Sequence, residues 1–242
     1  MDGALKKLYS ITFDSFNRDS GTNNSFRKDL HHNRQFTEYK VRTAQLPFTY
    51  HVINNTSNQF DTSLANFVID PGNYTSTSLL AELNTVTGGN NFVWTFDSST
   101  LKFSVQNTVA AWTLSSSSTI NQILGFGTPF DSTTVHGIAA VLELPEVIQV
   151  GGTNMLYIIS NTVGGSTTHG TFNRNINGIL VAVPVTAIPG GVTYYQDPSE
   201  NYHWCNNNNM KNFDFKVLDD NGKEVDFNGA PWSITVDFIN KR

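Results

Sequence analysis

Histidine, cysteine and methionine are the residues of this sequence that could bind a transition metal. Metalloenzymes often carry two histidines as H-x-H or H-E-x-x-H, and neither spacing occurs here. His203, Cys205 and Met210 have the side-chain types of a blue-copper site, but no histidine follows Cys205. The six histidines are His31, His32, His51, His136, His169 and His203. The sequence therefore predicts no metal centre and no cofactor.

The residues needed for enzymatic catalysis also lack a recognisable arrangement. There is no G-x-S-x-G nucleophile motif, and no spacing marks a catalytic pair of carboxylates. The acidic stretch 219–226 superficially resembles a calcium loop, but the twelfth position from Asp219 is Ala230, where an EF-hand has glutamate. Both glycine-rich nucleotide motifs are absent. We therefore expect a protein that is not an enzyme.

Charge and hydropathy restrict the partners and the location that we expect. Only 14% of the residues are charged and the net charge is −5, with +3 on residues 1–50 and −8 on the remainder. An acidic chain binds the phosphate backbone poorly, so sequence-specific nucleic-acid binding is not expected. The longest apolar run, near 178–185, is too short to span a membrane. The first ten residues lack the apolar core of a signal peptide, and Cys205 is the only cysteine, so we expect synthesis in a host cytosol and no secretion.

Short runs of β-branched and aromatic residues, separated by turn residues, dominate the sequence. Apolar side chains alternate with polar ones in 213–219 and 232–238, which is typical of antiparallel sheets packed face to face. The D-N-G stretch between these two strands predicts that they form a hairpin. Two segments, 75–89 and 118–126, have helical patterns. The twelve predicted strands are 8–13, 39–46, 49–53, 66–70, 92–96, 102–106, 147–150, 156–160, 179–185, 192–196, 213–219 and 232–238.

The fold class predicted from these elements is all-β, as a sandwich, jelly roll or barrel with one or two short helices. Stretches 14–38 and 197–212 show the least strand or helix pattern. We therefore expect an N-terminal strand and polar arm over residues 1–34, and a single β domain over 35–242. Deletion of this arm is expected to impair assembly more than folding.

Four aromatic residues flank the polar loop that follows the strand at 192–196. Tyr194, Tyr195, Tyr202 and Trp204 can either fill the core or stand in the loop and contact sugars or a protein. Tyr202 and Trp204 are the possible loop contacts. They support an alternative function, a carbohydrate-binding β-sandwich of the spike or attachment type.

Three stretches together resemble the penton, or minor capsid vertex, proteins of large DNA viruses, virophages and polinton-type viruses. The first is SFNRDSGTNNSF (15–26). The second is AQLPFTYHVINNTSNQF (44–60), followed by FVIDPGNYTSTSLLAELN (67–84) and ILGF (123–126). The third is FDFKVLDDNGKEVDFNGAPWSITVDF (213–238). The three stretches follow one another in the same order as in that group.

The resemblance implies a single jelly roll that forms a homopentamer at each icosahedral vertex of a virion. Its partners would be copies of itself, the major capsid protein and other minor capsid proteins. The chain is short for the group, so we expect little room for an additional outer domain. The residues that match the motifs are Arg18, Ser20, Gly21, Thr22, Pro47, Gly72, Tyr74, Gly125, Phe126, Asp220, Gly222, Asn228, Gly229 and Trp232. Most of them are expected to determine the fold, and Arg18 is a candidate for contact with a neighbouring subunit.

Overall fold

The structure is a computed structural model that describes residues 6–127, 131–164, 178–205 and 209–241. The described chain is mostly β-sheet and divides into two compact units. The first unit contains residues 1–50 and 153–242, and the second unit contains residues 51–152. The elements are β1 (Lys6–Asp14), β2 (Ser20–Gly21), β3 (Ser25–Gln35), β4 (Glu38–Pro47), β5 (Gln59–Asp61), β6 (Asn66–Val68), α1 (Ser76–Gly88), β7 (Phe92–Asp97), β8 (Lys102–Asn107), α2 (Asn121–Leu124), β9 (Leu142–Glu143), β10 (Met155–Ile159), β11 (Ile179–Pro184), β12 (Val192–Gln196), β13 (His203–Trp204), β14 (Asn209–Leu218) and β15 (Ser233–Lys241).

The first unit consists of two antiparallel sheets. One has the strand order β1-β15-β4-β12, with β13 also paired to β4, and the other has the order β11-β10-β14-β3-β2. When the two-residue strands β2 and β13 are set aside, eight strands remain. Numbered along the chain, they lie in the orders 1-8-3-6 and 5-4-7-2. This arrangement is that of a jelly roll. The predicted all-β jelly-roll class is confirmed.

Aromatic side chains from both sheets fill the core of the first unit. Phe213 on β14 lies 4.7 Å from Phe13 and 5.2 Å from Phe238, measured between ring centroids. Phe36, which lies between β3 and β4, stacks on Phe238 at 4.5 Å. All four rings are at most 2% exposed. Because each ring removes a large apolar area from water, these contacts between sheets are the main source of stability in this unit.

The predicted hairpin between β14 and β15 is wrong. β14 pairs with β10 and β3, whereas β15 pairs with β1 and β4 in the other sheet. The connection 219–232 is much longer than a two-residue hairpin loop. The D-N-G turn closes on itself: Lys223 N donates to the Asp219 carboxylate, Asp219 N donates to Lys223 O, and Gly222 N donates to Asp219 O. The apolar faces of β14 and β15 therefore meet across the core, and the connection 219–232 carries the chain from one sheet to the other.

The structure divides the chain differently from the predicted arm and single β domain. Residues 25–34, expected in a polar arm, belong to β3, which pairs with β14 at residues 25–29 and 34–35. The sequence of β3 is mostly polar, and Phe26 is its fully buried apolar residue, so the strand lacks the alternation that would reveal it. Residues 51–152 form a separate unit between β4 and β10, which corrects the expectation of little room for an insertion.

The second unit has its own core and contains both described helices. Its core is built around Phe60, Phe92, Trp94 and Trp112, with Leu79 and Leu83 contributed by α1. Thr75 caps α1 in a reciprocal pair of hydrogen bonds with Ser78, which confirms the predicted helix and its start. The second predicted helix is confirmed in shorter form as α2. Gly125 ends it with φ of 96°, a conformation that glycine adopts without strain.

Two of the predicted strands, 49–53 and 147–150, are wrong. Their backbone hydrogen bonds go to unrelated segments and therefore build no ladder. Ile53 N donates to Gly72 O, Ile148 N to Leu101 O, and Gln149 N to Ile123 O. An apolar run of this length fits a buried loop as well as a strand, and sequence pattern does not distinguish the two.

Deletion of residues 1–34 is expected to abolish cooperative unfolding of the first unit, because it removes β1 and most of β3 from the two sheets. The deletion also removes Phe13 and Phe26, each 2% exposed. Urea unfolding followed by near-ultraviolet circular dichroism would measure this. A deletion variant that still unfolds in one cooperative step at the wild-type midpoint would instead support a dispensable arm.

Candidate functional site

Three segments of the first unit that carry motif residues meet at one end of the jelly roll. We call residues 15–24, 48–50 and 219–232 the loop cluster. Asp14, at the end of β1, pairs with Ser233 at the start of β15, and Ser233 also pairs with Gln45 near the end of β4. Lys216, near the end of β14, pairs with Ser25 at the start of β3. The register thus brings together the segments that leave β1, β4 and β14.

Arg18 holds the first segment of the loop cluster in a closed turn. Its guanidinium donates to Ser15 O at 2.7 Å, to Gly21 O at 3.0 Å and to the side-chain oxygen of Asn23. The planar guanidinium presents several donors in a fixed geometry, so one side chain satisfies three acceptors of the loop. The predicted role of Arg18 in contacting a neighbour stays a prediction, and these contacts within the chain give it a structural role.

Gly21 is required by the close approach of this turn to β3. Its φ is 92°, and a β-carbon on it would lie 2.3 Å from Ser25 O. Thr22 stabilises the same turn because its hydroxyl accepts from the backbone nitrogens of Asn24 and Ser25, both at 3.2 Å. Ser20 belongs to β2 and pairs with Arg27. The R-x-S-G-T stretch is therefore a compact turn, and each matched residue in it makes a hydrogen bond, a close backbone approach or a strand pairing that stabilises the turn.

Asn23 and Trp232 join the first segment to the third. The Trp232 indole nitrogen donates to Asn23 O at 2.6 Å, and the Asn23 side chain donates to Gly229 O. Ser15 and Trp232 also exchange bonds: Ser15 N donates to Trp232 O, and Trp232 N donates to the Ser15 hydroxyl, both at 2.9 Å. Trp232 is 1% exposed, so its indole N–H has a partner as a buried polar group requires.

Asn24, Asp226 and Asn228 complete the loop cluster. The Asp226 carboxylate accepts from the Asn24 side chain at 3.1 Å and from Asn228 N at 2.9 Å. The Asn228 side chain donates to Thr49 O, and the Thr49 hydroxyl donates to Phe227 O at 2.6 Å. Three of these four bonds connect residues that lie about 180 to 200 positions apart in the chain. Asn228 and Gly229 have φ of 51° and 80°, which their residue types tolerate.

The acidic turn at 219–223 also belongs to the loop cluster. The Asp219 carboxylate accepts from Asn221 N and Lys223 N, and the Asp220 carboxylate accepts from Asn154 N at 3.1 Å. Burial, with the nearby Asp220 charge adding to it, raises the pKa of Asp219 despite its hydrogen bonds. Gly222 has φ of 74°, which permits the turn. The matched residues Asp220 and Gly222 therefore shape this connection.

The remaining matched residues lie outside the loop cluster. Pro47 ends β4 opposite Val192, while the other four belong to the second unit. Gly72 exchanges backbone hydrogen bonds with Ile53, and the Tyr74 hydroxyl donates to Asp70 O at 2.8 Å. Gly125 ends α2, and Phe126, 8% exposed, joins the core of that unit. The motif residues thus lie in both units, and the loop cluster contains those of the first unit except Pro47.

Sequence reasoning missed five residues that hold the loop cluster together: Ser15, Asn23, Asn24, Thr49 and Asp226. Small polar residues in loops are common in this chain, and their partners lie far away in sequence. No fixed spacing therefore distinguishes these five from the others. The one signal in the sequence is that all five fall inside the quoted stretches 15–26, 44–60 and 213–238.

The possible loop contacts Tyr202 and Trp204 lie at the other end of the first unit. Trp204 pairs with Glu38, the first residue of β4, and is 68% exposed. Tyr202 is half-buried, and burial, followed by the charges of Asp237 and Glu200, raises its pKa. The structure therefore places one largely exposed aromatic ring, that of Trp204, beside the 197–202 loop.

The described residues contain no group of three or more histidine, cysteine or carboxylate side chains that could hold a metal. Met210 is completely buried, and burial, with the charge of Glu38, raises the pKa of the Cys205 thiol to about 12. A thiol with this pKa is a poor nucleophile at neutral pH. Across the described ranges, no helix is both long and apolar enough to cross a membrane.

Comparison with known proteins gives structural likenesses only. No protein-family model matches the chain, and no curated protein matches it. Eighteen chains of solved structures do. One is the selenomethionine-labelled mavirus penton protein, with 10% identity, a TM-score of 0.49, and coverage of 97% of this chain and 99% of that chain.

A second likeness is to a chain from the cryo-EM structure of the Sputnik virophage. It has 14% identity, a TM-score of 0.47, and coverage of 97% of both chains. Each likeness thus extends over nearly the whole described chain, the second unit included.

Replacement of Arg18 by alanine is expected to lower the free energy of unfolding by about 1–3 kcal/mol, because three acceptors of the loop cluster lose a charged donor. The matched control is Arg27→Ala, which breaks an ion pair with Asp29 whose side chains are 52% and 55% exposed. That change is expected to cost less than about 1 kcal/mol. Urea unfolding of both variants measures the difference, and equal midpoints would contradict the structural role of Arg18.

Proposed function

We propose that this chain is a structural, non-catalytic capsid protein that forms a homopentamer at the icosahedral vertices of a virion. The observation that carries the proposal is the convergence of the motif residues. Arg18, Gly21, Asn228, Gly229 and Trp232, which match vertex proteins in widely separated stretches, belong to one hydrogen-bonded loop cluster of a jelly roll. Its partners are then copies of itself, the major capsid protein and other minor capsid proteins.

The free edge of β12 supports assembly with a second copy. β12 pairs with β4 on one side, and in the described chain no strand pairs with its other side. An exposed strand edge invites pairing with another chain unless it is covered. Val192 and Tyr194 on β12 are 58% and 54% exposed, and Ile188 in the preceding loop is 79% exposed. We propose that these three side chains form part of the contact between subunits.

A ring of five is a closed cyclic assembly, in which each subunit uses two different surfaces. The low charged fraction of 14% suits such contacts, because charged residues are depleted at the centres of interfaces. In this proposal the protein is made in the host cytosol and is then incorporated into the vertex of the virion.

The purified protein is expected to have a mass of about 134 kDa by light scattering, five times the chain mass of 26.8 kDa. The double substitution Val192→Asp and Tyr194→Asp is expected to yield the single chain, because each carboxylate would be desolvated in the contact. Leu101→Asp with Val109→Asp is the control, since both residues are also exposed, at 52% and 61%, but lie in the second unit. A wild-type protein that stays a monomer, also with its capsid partners added, would refute the pentamer.

The alternative function, carbohydrate binding by a spike or attachment module, is supported by the exposed ring of Trp204. Aromatic rings of this kind stack on sugars. If this function is correct, wild-type protein binds glycans on an array, and Trp204→Ala lowers the signal at least about tenfold, as expected for the loss of an aromatic anchor. Phe16→Ala is the control, because it removes another exposed aromatic ring, 73% exposed, in the loop cluster at the other end of the first unit. The absence of binding by the wild-type protein would exclude this alternative.

A further inference from the structure

Positive charge is concentrated where β1 begins, β3 ends, β14 begins and β15 ends. We call this region the basic corner, and its residues are Lys6, Lys7, Arg34, Lys211 and Lys241. Lys6 is the register partner of Lys241 in the β1–β15 ladder. The strand ends concerned, residues 6–10, 31–36, 209–212 and 238–241, contain no aspartate or glutamate.

The side chains of the basic corner that the structure describes face solvent. Lys7, Arg34 and Lys211 are exposed. The Lys7 ammonium lies 5.0 Å from the centroid of the Tyr9 ring, and the Arg34 guanidinium lies 5.8 Å from the same centroid. The two cations are therefore close neighbours around one aromatic ring. Within the described ranges, Lys7, Arg34 and Lys211 form no salt bridge.

The acidic residues of the first unit neutralise this charge only in part. Asp29, Glu38 and Asp237 pair with Asn212, Ile239 and Ser10 of these strand ends, but Asp29 and Asp237 also form ion pairs with Arg27 and Arg42. Four others, Asp219, Asp220, Glu224 and Asp226, lie in the loop cluster beyond the opposite end of β14. At about 3.3 Å per residue, Lys211 and Asp219 are about 26 Å apart along the strand, which exceeds the Debye length of about 8 Å at physiological salt. The nearer Glu38, Asp197 and Glu200 belong to the β4 and β12–β13 side, where Lys40 and Arg42 also lie.

We propose that the basic corner binds the phosphate backbone of nucleic acid without sequence preference. A polymer that carries one charge every 3.4 Å along each strand can contact several of these cations at once, which a single carboxylate cannot do. The half-buried Tyr9 ring, held between two cations, adds the combination of aromatic and basic groups that single-stranded nucleic acid favours. Leu8 is the one large apolar residue of these strand ends that is strongly exposed, which is too little for insertion into a lipid surface.

The net charge of the chain and the local charge of the basic corner lead to opposite expectations about nucleic-acid binding. The chain as a whole carries −5, which argues against nucleic-acid binding. The field at a surface depends on the charges within about one Debye length, however, and at the basic corner five cations outnumber the carboxylates of Asp29 and Glu38 beside it. The inference goes beyond the proposed vertex function and does not require a pentamer, so either can fail without the other.

The test is fluorescence anisotropy of a labelled, mixed-sequence DNA strand of about 25 nucleotides, titrated with the full chain between about 50 and 200 mM salt. Wild-type affinity is expected to fall with salt with a log–log slope between about −2 and −3.5, as for three to five phosphate contacts. The triple substitution Lys7→Ala, Arg34→Ala and Lys211→Ala is expected to weaken binding at least about tenfold and to reduce the slope by about 2.

The matched control is Lys102→Ala, Lys216→Ala and Lys223→Ala, which removes the same charge from outside the basic corner and is expected to change affinity less than about twofold. Equal losses in the two triple variants would overturn the proposal, since net charge alone would then be responsible. No binding by the wild-type chain would also overturn it.

Two further outcomes would assign the basic corner to another partner. Binding to vesicles of phosphatidylserine and phosphatidylcholine, without binding to DNA, would overturn the proposal in favour of a lipid surface. Self-association of the wild-type chain that rises with concentration and is lost only in the Lys7→Ala, Arg34→Ala and Lys211→Ala variant, again without DNA binding, would overturn the proposal. The basic corner would then bind the acidic loop of a second copy. Light scattering of the Lys7→Ala, Arg34→Ala and Lys211→Ala variant shows whether the substitutions remove only this site or also break the pentamer into smaller species.

Discussion

Burial of one aromatic face against another is the interaction on which the rest of the first unit depends. Phe13 and Phe238 extend from one sheet to meet Phe213 from the other, and Phe36 closes the stack. Only strands that present alternate side chains to this layer contribute to it, which determines the register of β1, β14 and β15. The loop cluster follows from the same constraint, because fixed registers bring the ends of β1, β4 and β14 to one place.

Elements with a strong local pattern could be predicted from the sequence. The alternation of Phe213, Phe215 and Val217 revealed β14, and Thr75 with the leucines that follow it revealed α1. β3 could not be predicted in this way, because its pairing with β14 consists of backbone bonds and its side chains are mostly polar. The second unit escaped prediction for a similar reason. A 102-residue insertion whose strands resemble those around it shows no break in composition.

The sequence could predict which residues of the candidate site shape turns, but not which residues contact one another. Glycines such as Gly21 and Gly222 mark turns, so their role in shape could be expected before the structure was known. The bonds of Asn23 to Gly229 and of Asn228 to Thr49 span most of the chain, and no local pattern encodes such distant partners. Charge shows the same limit, since the net charge of the chain conceals a corner at which lysine and arginine outnumber aspartate and glutamate.

The pairing of β1 with β15 has a consequence for the order in which the protein is made. Lys6 pairs with Lys241, so the first sheet remains without its second strand until the last described strand has left the ribosome. The second unit is contiguous, from residue 51 to 152, and its core can form while synthesis continues. The nascent chain therefore carries a folded insertion between unpaired strands. During that interval the exposed edges of β1 and β4 are where chaperones would have to act.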